Sequence, residues 1–244
     1  MKAIIVAGGR GERLRPITNS IPKPMVEVDG EPILLHIVKH LKQNGIKDFI
    51  IALCFLPEVI TNFFGDGSKF GVNIKYTYED PKKPLGTAGA ITLAKSFINK
   101  TFIVTYADIL RDLDIKQMIT FHKSNKALAT LNIYKRPSIG AKSQIFIKKD
   151  KIIQFIERPI ETGHKKKFLW TNGSFYILEP EIFKHIPDNK RVDFGFDIFP
   201  KLSLEKKVFA YKTTDYFIDI GSLEKLEFAR ISFPKRKSML TSAK

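Results

Sequence analysis

Residues 4–24 read IIVAGGRGERLRPITNSIPKP, and the fold is decided there. A strand-length apolar run, Ala3-Ile4-Ile5-Val6-Ala7, stops at Gly8-Gly9. The glycine-rich backbone that follows carries Arg10, Arg13 and Arg15, and then Lys23 between two prolines. A buried strand running into a glycine loop lets bare N–H groups approach a phosphate, because no Cβ stands in the way. Guanidinium groups add positive charge that no accessible pH removes. Strand, turn and cations together predict an anion cradle for a polyphosphate. The alternative is a plain strand–turn with surface arginines.

Two common cradles are excluded by spacing. The dinucleotide fingerprint needs a third glycine where Leu14 stands, and the ATPase P-loop needs a terminal Gly-Lys-Ser/Thr that is missing. The stretch instead resembles the signature of nucleotidyltransferases that join a nucleotide to a sugar 1-phosphate, G-G-x-G-x-R-L-x-P followed by K-P. Gly8, Gly9, Gly11, Arg13, Leu14, Pro16, Lys23 and Pro24 fall on it, and Glu12 stands where a threonine is usual.

Working outward, the chain has 244 residues, enough for one large α/β domain with a substantial core. Apolar residues make up 43%, which argues against wholesale disorder. No run approaches the ~20 apolar residues needed to span a bilayer, so no membrane insertion is expected. Cys54 is the only cysteine, which rules out an internal disulfide and fits a reducing cytoplasm. It reads as a packed core thiol, and no signal-peptide cleavage region is read near residue 1. The net charge is +16 with a pI of about 9.8. That charge alone leaves a nucleic-acid partner open, but the lysines are scattered and no nucleic-acid-binding signature accompanies them. Lysine-rich solvated faces and an anionic substrate are the preferred reading.

Residues 2–7 are expected as a strand buried on both faces, hence parallel to its neighbours. Residues 32–45 (with Ile33, Leu34, Ile37, Val38 and Leu41 on one face), 57–64 and 86–97 are expected as helices. They alternate with strands at 49–53, 72–78 and 101–106. Strand–helix alternation predicts a parallel sheet with helices on both faces and ligands at the strands' carboxyl ends. From residue 114 the chain reads as strand-rich. Strands are expected at 127–134, 143–148, 151–156, 170–178, 208–212 and 216–220, and helices at 115–121, 194–204 and 223–231. Residues 232–244 read as a basic, flexible tail. The expected fold is α/β, Rossmann-like, with a mixed, mainly parallel sheet. Residues 1–231 form a single domain, with a nucleotide-binding half at 1–113 and a strand-rich sugar-binding half at 114–231. The resemblance adds that this is a GT-A-like nucleotidyltransferase fold.

Asp108 and Asp219 each end a strand-like run, in Thr105-Tyr106-Ala107-Asp108 and Phe217-Ile218-Asp219-Ile220-Gly221. Two carboxylates with phosphate oxygens and water can complete a Mg²⁺ octahedron where one cannot. Taken singly, each aspartate is more often a helix N-cap or a surface group, and Asp219 before Gly221-Ser222 is a fair cap candidate. The resemblance selects the metal reading. It implies an Mg²⁺ cofactor on Asp108 and Asp219, and catalytic roles for Arg13, Lys23 and Asp108. It also implies nucleotide contacts from Ala7, Gly8, Gly9, Gly11, Arg13, Glu79, Pro84, Gly86 and Thr87, the last four from an E-x-x-P-L-G-T-A-G-like segment. Gly86 and Gly89 amides can read a base edge there, and Thr87 can cap the following helix. Gly140, Glu157, Arg158, Asn172 and Gly173 are implied at the sugar phosphate, with Arg158 in the place of a usual lysine.

The resemblance covers residues 2 to about 230 and implies nucleotidyl transfer between a nucleoside triphosphate and a sugar 1-phosphate, its two expected partners. Residues 84–90, 194–200 and 217–221 are most similar to guanylyltransferases for mannose or heptose 1-phosphate. Residues 121–124 and Asn172-Gly173 are similar to glucose-1-phosphate cytidylyltransferases, and thymidylyl and uridylyl transfer stay open. Phosphocholine as acceptor and a non-catalytic regulatory module are the rival readings, and a homo-oligomer is left open. The five histidines, His36, His40, His122, His164 and His185, form no metal-ligand spacing and read as structural.

Overall fold

The computed structural model describes residues 1–137, 142–159 and 168–242. Strand β1 (Lys2–Val6) leads through the glycine loop to the short antiparallel pair β2 (Glu27–Val28) and β3 (Glu31–Pro32), then helix α1 (Ile33–Gln43). Next come β4 (Asp48–Leu53), α2 (Pro57–Phe64), β5 (Asn73–Tyr78), α3 (Gly86–Thr92) and β6 (Phe102–Tyr106). The second half holds β7 (Ile109–Arg111), α4 (Ile115–Ser124), β8 (Ala129–Pro137), β9 (Ser143–Lys148), β10 (Lys151–Glu157) and β11 (Phe168–Leu178). It closes with α5 (Phe199–Leu204), β12 (Val208–Thr213), β13 (Phe217–Asp219) and α6 (Leu223–Ser242).

A nine-stranded sheet runs β5-β4-β1-β6-β11-β8-β12-β10-β9. Successive side chains of a strand point to opposite faces, so β1 serves two cores. Ala3 and Ile5 pack with the α1 stripe Leu34, Ile37, Val38 and Leu41. Ile4 packs on the other face with Ala88 and Ile91 of α3. That double burial is why the run carries no polar residue.

The expectation of a mixed, mainly parallel sheet holds in part: the sheet is mixed, but parallel pairs do not dominate it. Strands β5, β4, β1 and β6 are parallel, as is the β8–β12 pair. The β6–β11, β11–β8, β12–β10 and β10–β9 pairs are antiparallel, so the sheet is mixed. Apolar periodicity reports which faces are buried and is blind to strand direction. Two expected helices are interrupted. The 86–97 stretch stops at Thr92 before a separate 3₁₀ turn at Lys95–Phe97, and the 194–204 stretch opens with a π turn at Phe194–Ile198.

The 223–231 helix extends to Ser242 with Pro234 inside it. Tertiary contacts hold the extension where local propensity would end it. Phe233 meets the His36 ring edge-on at 4.9 Å, and Arg236 Nε donates to Asp112 Oδ2 at 2.5 Å. No helix among the described residues is long and apolar enough to cross a membrane.

Candidate active site

The glycine loop leaves the carboxyl end of β1, beside the ends of β4 and β6. Ala7 N donates to Ala52 O at 2.8 Å, and Ala107 N to Val6 O at 3.0 Å, which fixes both edges of the loop's start. Ala7, Gly9, Gly11, Arg13, Lys23, Thr87 and Asp108 line one cavity of about 640 Å³. Gly11 sits at φ +67°, where a Cβ would lie 2.9 Å from the Lys23 Cβ. The loop therefore folds directly onto the lysine, and only glycine permits both the angle and the approach. Thr18 Oγ1 donates to Gly11 O at 2.8 Å and holds that turn. A Cβ on Gly9 would meet nothing within 4 Å, so its face is open for a ligand.

Gly8 turns its missing side chain toward Cys54 and Glu79, each 3.1 Å from an ideal Cβ. Cys54 is thus half-exposed beside the loop rather than packed in the core as expected. Burial and the Glu79 carboxylate push its thiol pKa up. Glu79 is itself spoken for: Leu85 N donates to its Oε2 at 2.8 Å, and burial raises its pKa.

The 84–89 segment is held from behind by residues 190–193. Val192 O accepts from Ala88 N and Gly89 N at 2.9 and 3.0 Å, and Val192 N donates to Leu85 O at 2.8 Å. A Cβ on Gly86 would stand 2.7 Å from Val192 O, and one on Gly89 the same distance from Lys190 O. Both glycines serve this packing, and the Gly89 amide is spent rather than free to read a base. Thr87 does not cap α3 with its side chain. Asp193 does so from across the chain: its Oδ1 accepts from Thr87 N and Thr87 Oγ1, both at 3.0 Å. Pro84 is exposed on the surface.

A second cavity of about 820 Å³ shares Thr87, Tyr106 and Asp108 with the first and opens onto the strand-rich half. Strands β13 and β7 pair antiparallel with Asp219 opposite Ile109, and Ile220 N donates to Asp108 O at 2.9 Å. The ladder thus brings Asp219 one step from the residue bonded to Asp108, and both aspartates line this cavity. Neither caps a helix. The strand β7 follows Asp108 directly, and Ser222 Oγ accepts from Lys225 N at the start of α6. Lys23 donates to the Asp108 carboxylate, Lys142 donates to Asp219, and Lys225 reaches Asp219 at 3.6 Å. Burial raises the Asp219 pKa, but Lys142, Lys225 and Lys23 outweigh it and hold the carboxyl below its usual range. An ideal Cβ on Gly221 would lie 3.1 Å from Arg13 Nη2 and 3.4 Å from Asp219 Oδ1, so Arg13 joins the same corner.

Glu157, Arg158 and Asn172 also line the second cavity. Glu157 is pressed on Gly195, where a Cβ would be 2.5 Å from its Oε2. Burial lifts its pKa to about 7, against the pull of Arg158 and Lys142. Arg158 lies over the Phe196 ring at 5.6 Å, and its amide donates to Lys142 O at 2.8 Å. Asn172 donates from Nδ2 to the Tyr176 hydroxyl at 2.7 Å and accepts from Ser174 N at 2.9 Å, which ties down a register shift in β11. Gly173 is structural, since a Cβ there would fall 2.2 Å from Asn132 Oδ1. Gly140 and His164 lie outside the described residues. His36 binds Val28 O at 2.7 Å, and His122 binds Thr130 Oγ1 and Glu179 at 2.8 and 3.0 Å, and neither lines either of these two cavities.

Sequence reasoning missed Asp193, Lys142 and Lys225. Asp193 follows Arg191-Val192 with no spacing that marks it, and a lysine among 41 basic residues carries no signal of its own.

The model of the nucleotidyl transferase family matches residues 2–232. A UTP–glucose-1-phosphate uridylyltransferase of Synechocystis sp. is 34% identical over 91% of this chain and 61% of its own length. A probable mannose-1-phosphate guanylyltransferase 1 of Oryza sativa subsp. japonica is 34% identical over the same shares. The chain thus spans about three fifths of these relatives. The structure of HddC from Yersinia pseudotuberculosis complexed with GMP-PN superposes with a TM-score of 0.78 at 28% identity, covering 95% of this chain and 99% of that one. A putative glucose-1-phosphate thymidylyltransferase from Bacillus anthracis, in complex with a sucrose, gives 0.82 at 26% identity, over 94% of each chain.

Proposed function

The chain belongs to the nucleotidyl transferase family, and we propose that it joins a nucleoside triphosphate to a sugar 1-phosphate with release of pyrophosphate. The observation that carries this reading is that Asp108 and Asp219 line one cavity at the end of the β7–β13 ladder, beside Lys23, Arg13 and the open face of Gly9. A sugar phosphate oxygen attacks the α-phosphorus in line, one P–O bond forms, and the bond to the β-phosphate oxygen breaks. Such a reaction needs positioning and charge neutralisation rather than an enzyme nucleophile.

The amides of residues 8–11 and the Arg13 guanidinium take the β- and γ-phosphates. Lys23 is placed to balance charge on the α-phosphate. Thr87, anchored by Asp193, faces both cavities and marks the boundary between donor and acceptor. Arg158, with its planar fork, orients the acceptor phosphate, and Glu157 accepts from sugar hydroxyls.

The residues suit Mg²⁺. Among the described residues no group of three or more His, Cys, Asp or Glu could hold a metal ion by itself. An adjacent carboxylate pair completed by substrate phosphates is how Mg²⁺ is usually bound. Asp108 and Asp219 would hold it, and it would neutralise charge on the phosphates during transfer.

GTP with mannose or heptose 1-phosphate is the favoured pair, supported by the guanylyltransferase relatives and the GMP-PN complex of HddC. The Synechocystis relative favours UTP with glucose 1-phosphate as the second reading. A pyrophosphate-release matrix of four triphosphates against several sugar 1-phosphates tests both. Pyrophosphate from one matched pair is expected. Release with phosphocholine but with no sugar phosphate, or no release with any acceptor, would overturn the reading.

A further inference from the structure

Two carboxylates, Asp108 and Asp219, here carry three ammonium groups, those of Lys23, Lys142 and Lys225. A divalent cation approaching this corner meets carboxylate charge that is already more than offset, and Coulomb repulsion in a partly buried site opposes its entry. The corner favours a divalent ion only if an ammonium leaves as the phosphates arrive. Lys142 is the one built to leave. Its side chain is 56% exposed, against 12% for Lys23 and 43% for Lys225. Its backbone, in contrast, is fixed beside the acceptor end of the cavity, because Lys142 O accepts from Arg158 N at 2.8 Å. The residue immediately precedes β9, whose Ser143 pairs with Glu157 of β10. A flexible four-carbon stem on a fixed root lets its ammonium reach both Asp219 and the space in front of Arg158.

We propose that Lys142 is a positioning residue that exchanges partners: it neutralises Asp219 in the free enzyme and moves to the acceptor's phosphate when a divalent cation takes the aspartate. The inference rests on the nucleotidyl-transfer reading above and adds a role to a lysine that reading leaves unused. It makes the metal and the acceptor phosphate bind cooperatively. Each removes the obstacle to the other, since the cation frees Lys142 and the phosphate gives Lys142 a new anion.

The test is Lys142→Met, which keeps the stem and removes the charge, with Lys142→Arg beside it. Two readouts are taken. The first is Mn²⁺ binding to the substrate-free enzyme, followed by the loss of the free-ion electron paramagnetic resonance signal. The second is KM for the sugar 1-phosphate at saturating triphosphate. In Lys142→Met, Mn²⁺ should bind several-fold tighter, while KM for the acceptor rises on the order of tenfold, the worth of one charge-assisted hydrogen bond. Lys142→Arg should restore the acceptor KM to within a few-fold of wild type. Unchanged or weaker Mn²⁺ binding in Lys142→Met overturns the exchange, as does an acceptor KM at the wild-type value. A wild-type enzyme without turnover would sink the nucleotidyl-transfer reading, and the Mn²⁺ measurement would still decide whether Lys142 competes with the metal.

Discussion

Ile220 N donates to the carbonyl of Asp108 at 2.9 Å, which extends the β7–β13 ladder by one backbone bond toward the end of β6. That bond sets Asp219, one residue before Ile220, near Asp108, and both aspartates line the larger cavity, and Lys23, paired with Asp108, also acts on Asp219. If that cavity holds the reacting phosphates, Asp108→Asn and Asp219→Asn should each lower kcat by about 10²-fold or more, the usual cost of losing preorganised charge at a transition state. Both variants keep volume and a hydrogen-bonding group but give up the ion pairs to Lys23, Lys142 and Lys225, so they should stay folded with only a modest loss in thermal stability. Near-normal turnover with Mg²⁺ in either one would remove that aspartate from the mechanism.

The loop glycines separate folding from binding. Gly9→Ala places a methyl group in open space and should leave stability within about 0.5 kcal/mol. It narrows the approach to the loop amides, so KM for the triphosphate should rise. Gly11→Ala, at φ +67° and 2.9 Å from the Lys23 Cβ, combines backbone strain with a clash and should cost about 1–3 kcal/mol. Calorimetry with triphosphate titration distinguishes them, and equal stability losses in the two variants would contradict the assignment.

The loop glycines were legible in the sequence because bare backbone after a buried strand is what a close approach to phosphate needs, and Gly11 also takes a positive φ that few other residues adopt. The strand-terminal aspartates were legible as a pair only through the resemblance, since each alone reads more often as a cap or a surface group. What stayed hidden has a common cause. Asp193 reaches Thr87 across 106 positions, and Lys142 reaches Asp219 across 77. No local period encodes such contacts. The direction of β11 beside β6 was hidden for the same reason, because alternation looks alike whichever way a strand runs.

Asp193→Ala removes the acceptor shared by Thr87 N and Thr87 Oγ1. Loss of such a cap typically costs about 1 kcal/mol. Here the freed segment also borders both cavities, so KM for the triphosphate and for the acceptor should both rise. Asp193→Asn keeps an acceptor oxygen and should recover most of the stability. If Asp193→Ala melts and binds like wild type, the 190–193 segment is not what holds Thr87 in place.

Glu157 supplies a pH signature. Its pKa is pushed up to about 7, first by burial, with Arg158 and Lys142 opposing. As a hydroxyl acceptor it works best ionised, so KM for the sugar 1-phosphate should fall as pH rises from 6 to 8. Glu157→Gln should flatten that profile. Stability runs the other way. The folded state holds the proton at pH values where the unfolded carboxyl, near its ordinary 4.5, has lost it. Between those two pKa values the folded state binds more protons, so this group's contribution to stability declines as pH rises from about 4.5 to 7 and is flat above. Relative to wild type, Glu157→Gln should therefore gain stability on going from pH 5 to pH 8. Opposite signs for binding and stability in one residue are the mark of a charge buried for use. A wild-type acceptor KM that is flat across pH 6–8, or a Glu157→Gln variant whose relative stability does not change over that window, would show that the carboxyl titrates normally.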